Sequence, residues 1–201
     1  MTSASFSRIM CAKHEELQND KNMGREQKRL LFSREEIDNA VIALSKKINS
    51  DYRGRNVLLV GILKGCFVFL ADLIRHLDIE VTVDFVILRS YGSATVSSGE
   101  IEVIKDLHES IEGKDVLIIE DILDTGLTLS HFKEHLLLRD PRSLKVCALL
   151  DKKARRKVDF EADYVGLTIE DGFIVGYGID CDERYRNLPD IWVLTGEGSE
   201  A

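Results

Sequence analysis

The sequence predicts an α/β fold built on a mainly parallel sheet, and three observations carry that prediction. Val57-Leu58-Leu59-Val60-Gly61-Ile62 is a continuous apolar run, and so is Val116-Leu117-Ile118-Ile119. Such runs mark strands buried on both faces. Segments with helical spacing stand between these runs and further strand-like segments, and that alternation implies a parallel sheet flanked by helices.

The elements follow in order. Ser33 and Glu36 form an S-x-x-E capping box ahead of Ile37, Val41, Leu44 and Ile48. Regular structure is therefore expected from Phe32, as a helix broken by Arg53-Gly54-Arg55-Asn56. The buried strand over 57–62 then passes through a short Leu63-Lys64-Gly65-Cys66 loop into a helix over 67–77. Residues 81–88 alternate and are rich in Val, Ile and Phe, which predicts a strand. Residues 91–99 are small, polar and without period, which suits a mobile loop, and 101–104 resume a strand. The strand over 116–119 runs through Glu120-Asp121 towards a helix over 125–138. Residues 144–150 and 164–167 are further strands, and 174–177 and 191–194 add short ones. Ligands in such sheets lie beyond the carboxyl ends of the strands. The loops after Ile62, Ile119 and Leu150 should therefore share one site.

A length of 201 residues suits one domain. Residues 1–29 lack periodic apolar positions and read as a disordered leader, with Met23 as an alternative start, and 30–201 as the domain. The net charge of −8 argues against a nucleic-acid or anionic-membrane partner. No apolar run reaches the roughly 18 residues of a membrane span, and no secretory h-region is present. Cys11, Cys66, Cys147 and Cys181 show neither CxxC nor zinc-type spacing, so they read as reduced thiols of a cytoplasmic protein. An acidic protein can still hold a polyphosphate with local amides, a few cations and a metal.

Residues 116–128, VLIIEDILDTGLT, assemble the parts for that. An apolar strand makes a rigid base. Glu120 and Asp121 place two carboxylates at its end, where ribose hydroxyls could be held directly or through Mg²⁺. Asp124 follows three residues later, where it could merely cap the helix. Thr125-Gly126-Leu127-Thr128 is a small-residue turn into a helix, and the amides of a helix N-terminus bind phosphate. Gly126 permits close backbone approach, and Thr125 and Thr128 add hydroxyls.

This stretch resembles the phosphoribosyl pyrophosphate signature of type I phosphoribosyltransferases. Leu63-Lys64-Gly65, Ser90-Tyr91-Gly92, Leu150-Asp151-Lys152 and the segment 172–194 are similar to the hypoxanthine-guanine phosphoribosyltransferases, the short bacterial type above all. The resemblance spans about residues 30–194. It implies a mainly parallel twisted sheet with a small hood and a mobile loop. It also implies transfer of a phosphoribosyl group from phosphoribosyl pyrophosphate to hypoxanthine or guanine, with Mg²⁺, in a homodimer or homotetramer.

The resemblance further implies residue roles. Thr125, Gly126, Leu127 and Thr128 would hold the 5-phosphate. Glu120 and Asp121 would meet the ribose hydroxyls and one Mg²⁺, and Asp180 a second. Asp124 would be the base at purine N7. Lys64 and Gly65, with a cis Leu63–Lys64 bond, and Arg186 would meet pyrophosphate. Lys152 would donate to the purine 6-oxygen, Phe173 would stack on the base, and the Ile174 backbone would read its edge. Ser90 and Tyr91 would belong to the lid. Two positions depart from the pattern: Cys181 stands where an aromatic residue is usual, and Leu127 where lysine is frequent in animal enzymes. Two rivals stand beside this reading: a nucleotide-sensing regulator on the same fold, and a xanthine-preferring relative.

Overall fold

Residues 27–93 and 96–195 are described by the structure, a computed structural model, except for the side chains of Gln27 and residues 90–100. The first helix, α1 (Arg34–Asp51), begins where the capping box predicts. The Glu36 N–H donates to Ser33 Oγ at 3.3 Å, and the Ser33 N–H donates to Glu36 Oε2 at 2.8 Å. Two orphan donors of the first turn are satisfied reciprocally. The stripe of Ile37, Val41, Leu44 and Ile48 is buried in the core against the sheet. Truncating Ile37, Leu44 or Ile48 to alanine should cost about 2–5 kcal/mol.

The main sheet has six strands: β2 (Asn56–Leu63), β3 (Glu80–Ser93), β4 (Val96–Lys105), β5 (Asp115–Leu123), β6 (Ser143–Lys152) and β7 (Tyr164–Ile169). Their spatial order is β4-β3-β2-β5-β6-β7. All neighbours run parallel except β3 and β4, which pair antiparallel at one edge. The continuous apolar runs are explained by burial on both faces. Leu59, Leu117 and Ile119 join the cluster under α1 and α2 (Phe67–Ile74). Val60, Ile62, Val116 and Ile118 join the opposite cluster under α3 (Leu127–Leu137).

A second, three-stranded antiparallel sheet forms a hood, in the order β1 (Gln27–Phe32), β9 (Ile191–Thr195), β8 (Phe173–Val175). Its small core joins Val175 and Cys181 to Phe173, Tyr185 and Trp192. Residues 171–173 follow β7 directly, so the hood is delivered to the carboxyl edge of the main sheet.

Several expectations are corrected. A strand already precedes Phe32: β1 takes in the last residues of the expected leader by pairing with β9, Gln27 opposite Thr195. The rest of that leader lies outside the described residues. The segment expected as a loop over 91–99 is mostly hairpin: Gly92 pairs with Ser97 and Ser93 with Val96. Backbone pairing needs no side-chain period, which is why the pattern was silent. Residues 94 and 95, at its tip, lie outside the described residues. The helices are shorter than expected, α2 ending at Ile74 and α3 starting at Leu127. Cys66 and Cys147 are free and buried, as expected of reduced thiols, whereas Cys181 is disulfide-bonded.

Candidate active site

β2, β5 and β6 end on one side of the sheet, and the hood stands over them. Between them lies a cavity of about 330 Å³. It is lined by Lys64 and Gly65 after β2, and by Glu120, Asp121, Asp124, Thr125, Gly126 and Thr128 along β5 and its turn. Lys152 enters from β6, and Phe173, Ile174 and Asp180 from the hood. Segments far apart in sequence thus meet at the place where parallel sheets bind ligands.

The turn into α3 is shaped by Gly126, its N-cap, with φ +79°. A side chain there would be strained, and a Cβ would stand 3.1 Å from Arg156 Cδ and Val158 Cγ2. The turn is braced from outside: the Lys157 N–H donates to the Thr125 carbonyl at 2.9 Å. Thr125 Oγ1 accepts from the Leu127 N–H at 3.4 Å, a long bond that a better acceptor could replace. The remaining first-turn amides are the orphan donors that make a helix N-terminus an anion site.

Two carboxylates stand beside this turn in a dry setting. Burial pushes Glu120 well above the carboxylate range, and neighbouring Asp121 adds to it. Burial pushes Asp121 up to about 6, against hydrogen bonds from backbone N–H groups. Glu120 Oε2 is buried without a hydrogen-bond partner, and so is Asp124 Oδ1. Unpaired buried oxygens are costly, so a donor or cation supplied by a ligand would relieve both. Gly65 is packed hard against Asp121: a Cβ on it would fall 1.8 Å from Asp121 Oδ2. Asp180 faces the same cavity from the hood. Among the described residues no three His, Cys, Asp or Glu side chains gather as a metal cage.

Lys152 is the last residue of β6 and only 3% exposed. Its Nζ donates to the Gly172 carbonyl at 2.6 Å and pairs with Asp171 Oδ1 at 2.9 Å. An ammonium has three protons, so one donor remains for a ligand. Phe173 lines the cavity while packing on the hood core, half-buried rather than either a core residue or a bare ledge. Ile174 is buried and reaches the site through its strand, paired with Val193.

The Leu63–Lys64 bond is cis, as expected. Lys64 Nζ pairs with Glu183 Oε1 at 2.8 Å. Arg186 does not line the cavity itself; it reaches Asp180 Oδ1 at 2.9 Å and the Gly178 carbonyl at 2.8 Å. Leu127 is also absent from the cavity wall. Ser90 and Tyr91 lie on β3, and their side chains fall outside the described residues. Sequence reasoning missed Arg155, Asp171 and Glu183. The basic run 152–157 reads as a solvated turn, yet a single 3-10 turn (Lys153–Arg155) brings Arg155 to the cavity, 3.8 Å from Asp124 Oδ2. Arg156, in the same run, pairs with buried Asp151. With five cations in six positions, the run has no period to reveal which ones turn inward.

Residues 33–182 match the phosphoribosyl transferase domain family. A hypoxanthine-guanine phosphoribosyltransferase of Bacillus subtilis is 51% identical over 166 residues, covering 83% of this chain and 92% of that protein. Among solved structures, a hypoxanthine-guanine phosphoribosyltransferase of Bacillus anthracis has a TM-score of 0.81 at 47% identity, over 85% of this chain and all of that one. A hypoxanthine phosphoribosyltransferase of Staphylococcus aureus has a TM-score of 0.82 at 46% identity, over 92% and 98% of the two chains.

Proposed function

We propose, from the premise that this chain belongs to the phosphoribosyltransferase family, that it moves the 5-phosphoribosyl group of phosphoribosyl pyrophosphate to N9 of hypoxanthine or guanine. The products are IMP or GMP and pyrophosphate. One observation carries the reading. A single cavity joins a phosphate-type helix N-terminus, two desolvated carboxylates, an unpaired Asp124 oxygen and a nearly buried lysine with one donor to spare.

Each group has a task in that reaction. Thr125, Gly126, Leu127 and Thr128 hold the 5-phosphate through the amides and hydroxyls of the turn. Leu127 contributes only its N–H, so its side chain need not face the cavity. Glu120 and Asp121 accept from the ribose hydroxyls and fix the sugar with its anomeric carbon towards the base. Phe173 stacks on the purine, Lys152 donates to its 6-oxygen, and the Ile174 backbone meets its edge. Asp124 Oδ1 takes the N7 proton as N9 attacks, which keeps the base from becoming cationic. Lys64, the Gly65 backbone and Arg186 receive the departing pyrophosphate. Ser90 and Tyr91, on the β3–β4 hairpin, close over the site and keep water from the activated sugar.

Glu120 and Asp121 fit one Mg²⁺, and Asp180 a second. They are hard oxygen donors, Glu120 carries an unpaired buried oxygen, and Mg²⁺ characteristically takes one or two carboxylates plus substrate oxygens and water. When bound, the ion neutralises charge on the substrate's phosphate groups. The enzyme acts in the cytoplasm as a homodimer or homotetramer, on small molecules rather than nucleic acid. Among the described residues no helix is long and apolar enough to cross a membrane.

The test is pyrophosphate release. It should require phosphoribosyl pyrophosphate and hypoxanthine or guanine together, with IMP or GMP formed in equal amount. A protein that binds the nucleotide yet releases no pyrophosphate would be a regulator on this fold. Xanthine turnover exceeding both other bases would make it the xanthine-preferring relative.

A further inference from the structure

The two cations assigned above to the pyrophosphate group already share an anion. Lys64 Nζ donates to Glu183 Oε1 at 2.8 Å, and Arg186 Nη2 donates to Glu183 Oε2 at 3.2 Å. One carboxylate therefore spans both groups, one oxygen to each. These two contacts, Lys64's first, hold the Glu183 carboxyl below its ordinary range. Lys64 follows β2, whereas Glu183 and Arg186 lie between β8 and β9. The carboxylate thus bridges the loop after β2 to the hood, across the place where the leaving group must sit.

The bridge is built so that it can open. Arg186 is held independently by Asp180 Oδ1 at 2.9 Å and by the Gly178 carbonyl at 2.8 Å, so it keeps its place without Glu183. The side chains of Lys64 and Glu183 are each 64% exposed. An exposed ion pair contributes little and opens readily. The backbone of Glu183 is fixed all the same: its φ is +59° and its N–H donates to Asp180 Oδ2 at 2.8 Å. The carboxylate can swing into water while its residue stays at the rim. A pyrophosphate group brings more charge and more acceptor oxygens than one carboxylate, so it displaces Glu183 from both cations.

We propose that Glu183 is a resident competitor for the pyrophosphate site, setting the affinity of this enzyme for the pyrophosphate group of its substrate and for pyrophosphate as product. The proposal rests on the assignment of Lys64 and Arg186 to that group. Its consequence runs against the usual effect of removing a charged residue near a site: binding should improve. The same competition helps product pyrophosphate to leave.

The experiment titrates inorganic pyrophosphate into the full chain by calorimetry at one fixed Mg²⁺ concentration, alongside steady-state kinetics. Glu183→Gln and Glu183→Ala should each bind pyrophosphate about three- to tenfold more tightly, the range expected from releasing one or two exposed ion pairs. The KM for phosphoribosyl pyrophosphate should fall in parallel while the KM for hypoxanthine holds. A purely structural role for Glu183 could not raise affinity for one ligand alone. Lys64→Ala serves as the reference and should weaken pyrophosphate binding. Weakened binding in Lys64→Ala with no gain in either Glu183 variant overturns this proposal alone. Unchanged binding in Lys64→Ala overturns the pyrophosphate assignment and this proposal with it.

Discussion

Gly65→Ala is a sharp probe, because space alone decides its effect. A Cβ at Gly65 would stand 1.8 Å from Asp121 Oδ2 and 2.5 Å from Asp121 Cγ. Ordinary contact needs about 3.5 Å, so something must move by more than an ångström. The loop has little room to retreat. Its other side abuts the hood, where the Gly65 carbonyl lies only 2.5 Å from the position of a Cβ on Gly178. The Asp121 carboxylate must therefore leave its place. Overpacking of this kind costs about 1–3 kcal/mol, which for a chain of this size is a fall in Tm of about 2–12 °C. Displacing a substrate-positioning group by about 1 Å can cost about 10²-fold in rate. Kinetics against phosphoribosyl pyrophosphate should show kcat/KM down by about that factor, with the KM for the base little changed. The double variant Gly65→Ala/Asp121→Ala removes the clashing atoms, so it should regain Tm but not activity. Unaltered Tm and kinetics in Gly65→Ala would show that the loop and the carboxylate do not meet, and the argument would fail.

Two further outcomes are expected from the same cavity. Asp124→Asn keeps the shape of the side chain but cannot accept the N7 proton; kcat should fall by about 10²–10⁴-fold while phosphoribosyl pyrophosphate still binds. An unchanged kcat would reduce Asp124 to a structural residue. The pH dependence of stability follows from Asp121, whose carboxyl burial raises from 3.8 to about 6. The folded state then holds its proton more tightly than the unfolded state does. Its contribution is fully present below about pH 4 and lost as pH rises through about 6, a loss of roughly 3 kcal/mol. Asp121→Asn cannot ionise, so without ligand it should melt above the parent protein at pH 7, with the difference vanishing near pH 4. A difference independent of pH would contradict the assignment.

Local signals were legible where local physics decides. The Ser33–Glu36 capping box, the doubly buried runs over 57–62 and 116–119, and the Glu120–Thr128 turn each follow from neighbours in sequence, and each stands where expected. What was missed depends on partners far along the chain. β1 is a polar-apolar mixture that becomes a strand only because β9 supplies its ladder from more than 150 residues away. The β3–β4 hairpin is held by backbone bonds, so its Ser and Gly content hides it. Arg155 and Glu183 sit in charged runs whose composition says solvent, yet a 3-10 turn brings Arg155 to the cavity, and Glu183, on a left-handed backbone, meets Lys64 and Arg186. The same limit applies to Lys152, where only the fold shows that two of its three protons are already committed.

That committed geometry makes the proposed purine site the place to test the central claim. Lys152 offers one donor and no acceptor, which suits a 6-oxo group and opposes the 6-amino group of adenine donor to donor. A site that leaves a buried polar group unpaired can discriminate by roughly 10⁴-fold. The measurement is kcat/KM for hypoxanthine, guanine, xanthine and adenine, at one Mg²⁺ concentration and saturating phosphoribosyl pyrophosphate. Hypoxanthine and guanine should be used well, xanthine poorly, and adenine about 10⁴-fold less than hypoxanthine. Adenine turnover comparable to hypoxanthine would contradict the role of Lys152 and, with it, the assignment of this cavity to a 6-oxopurine.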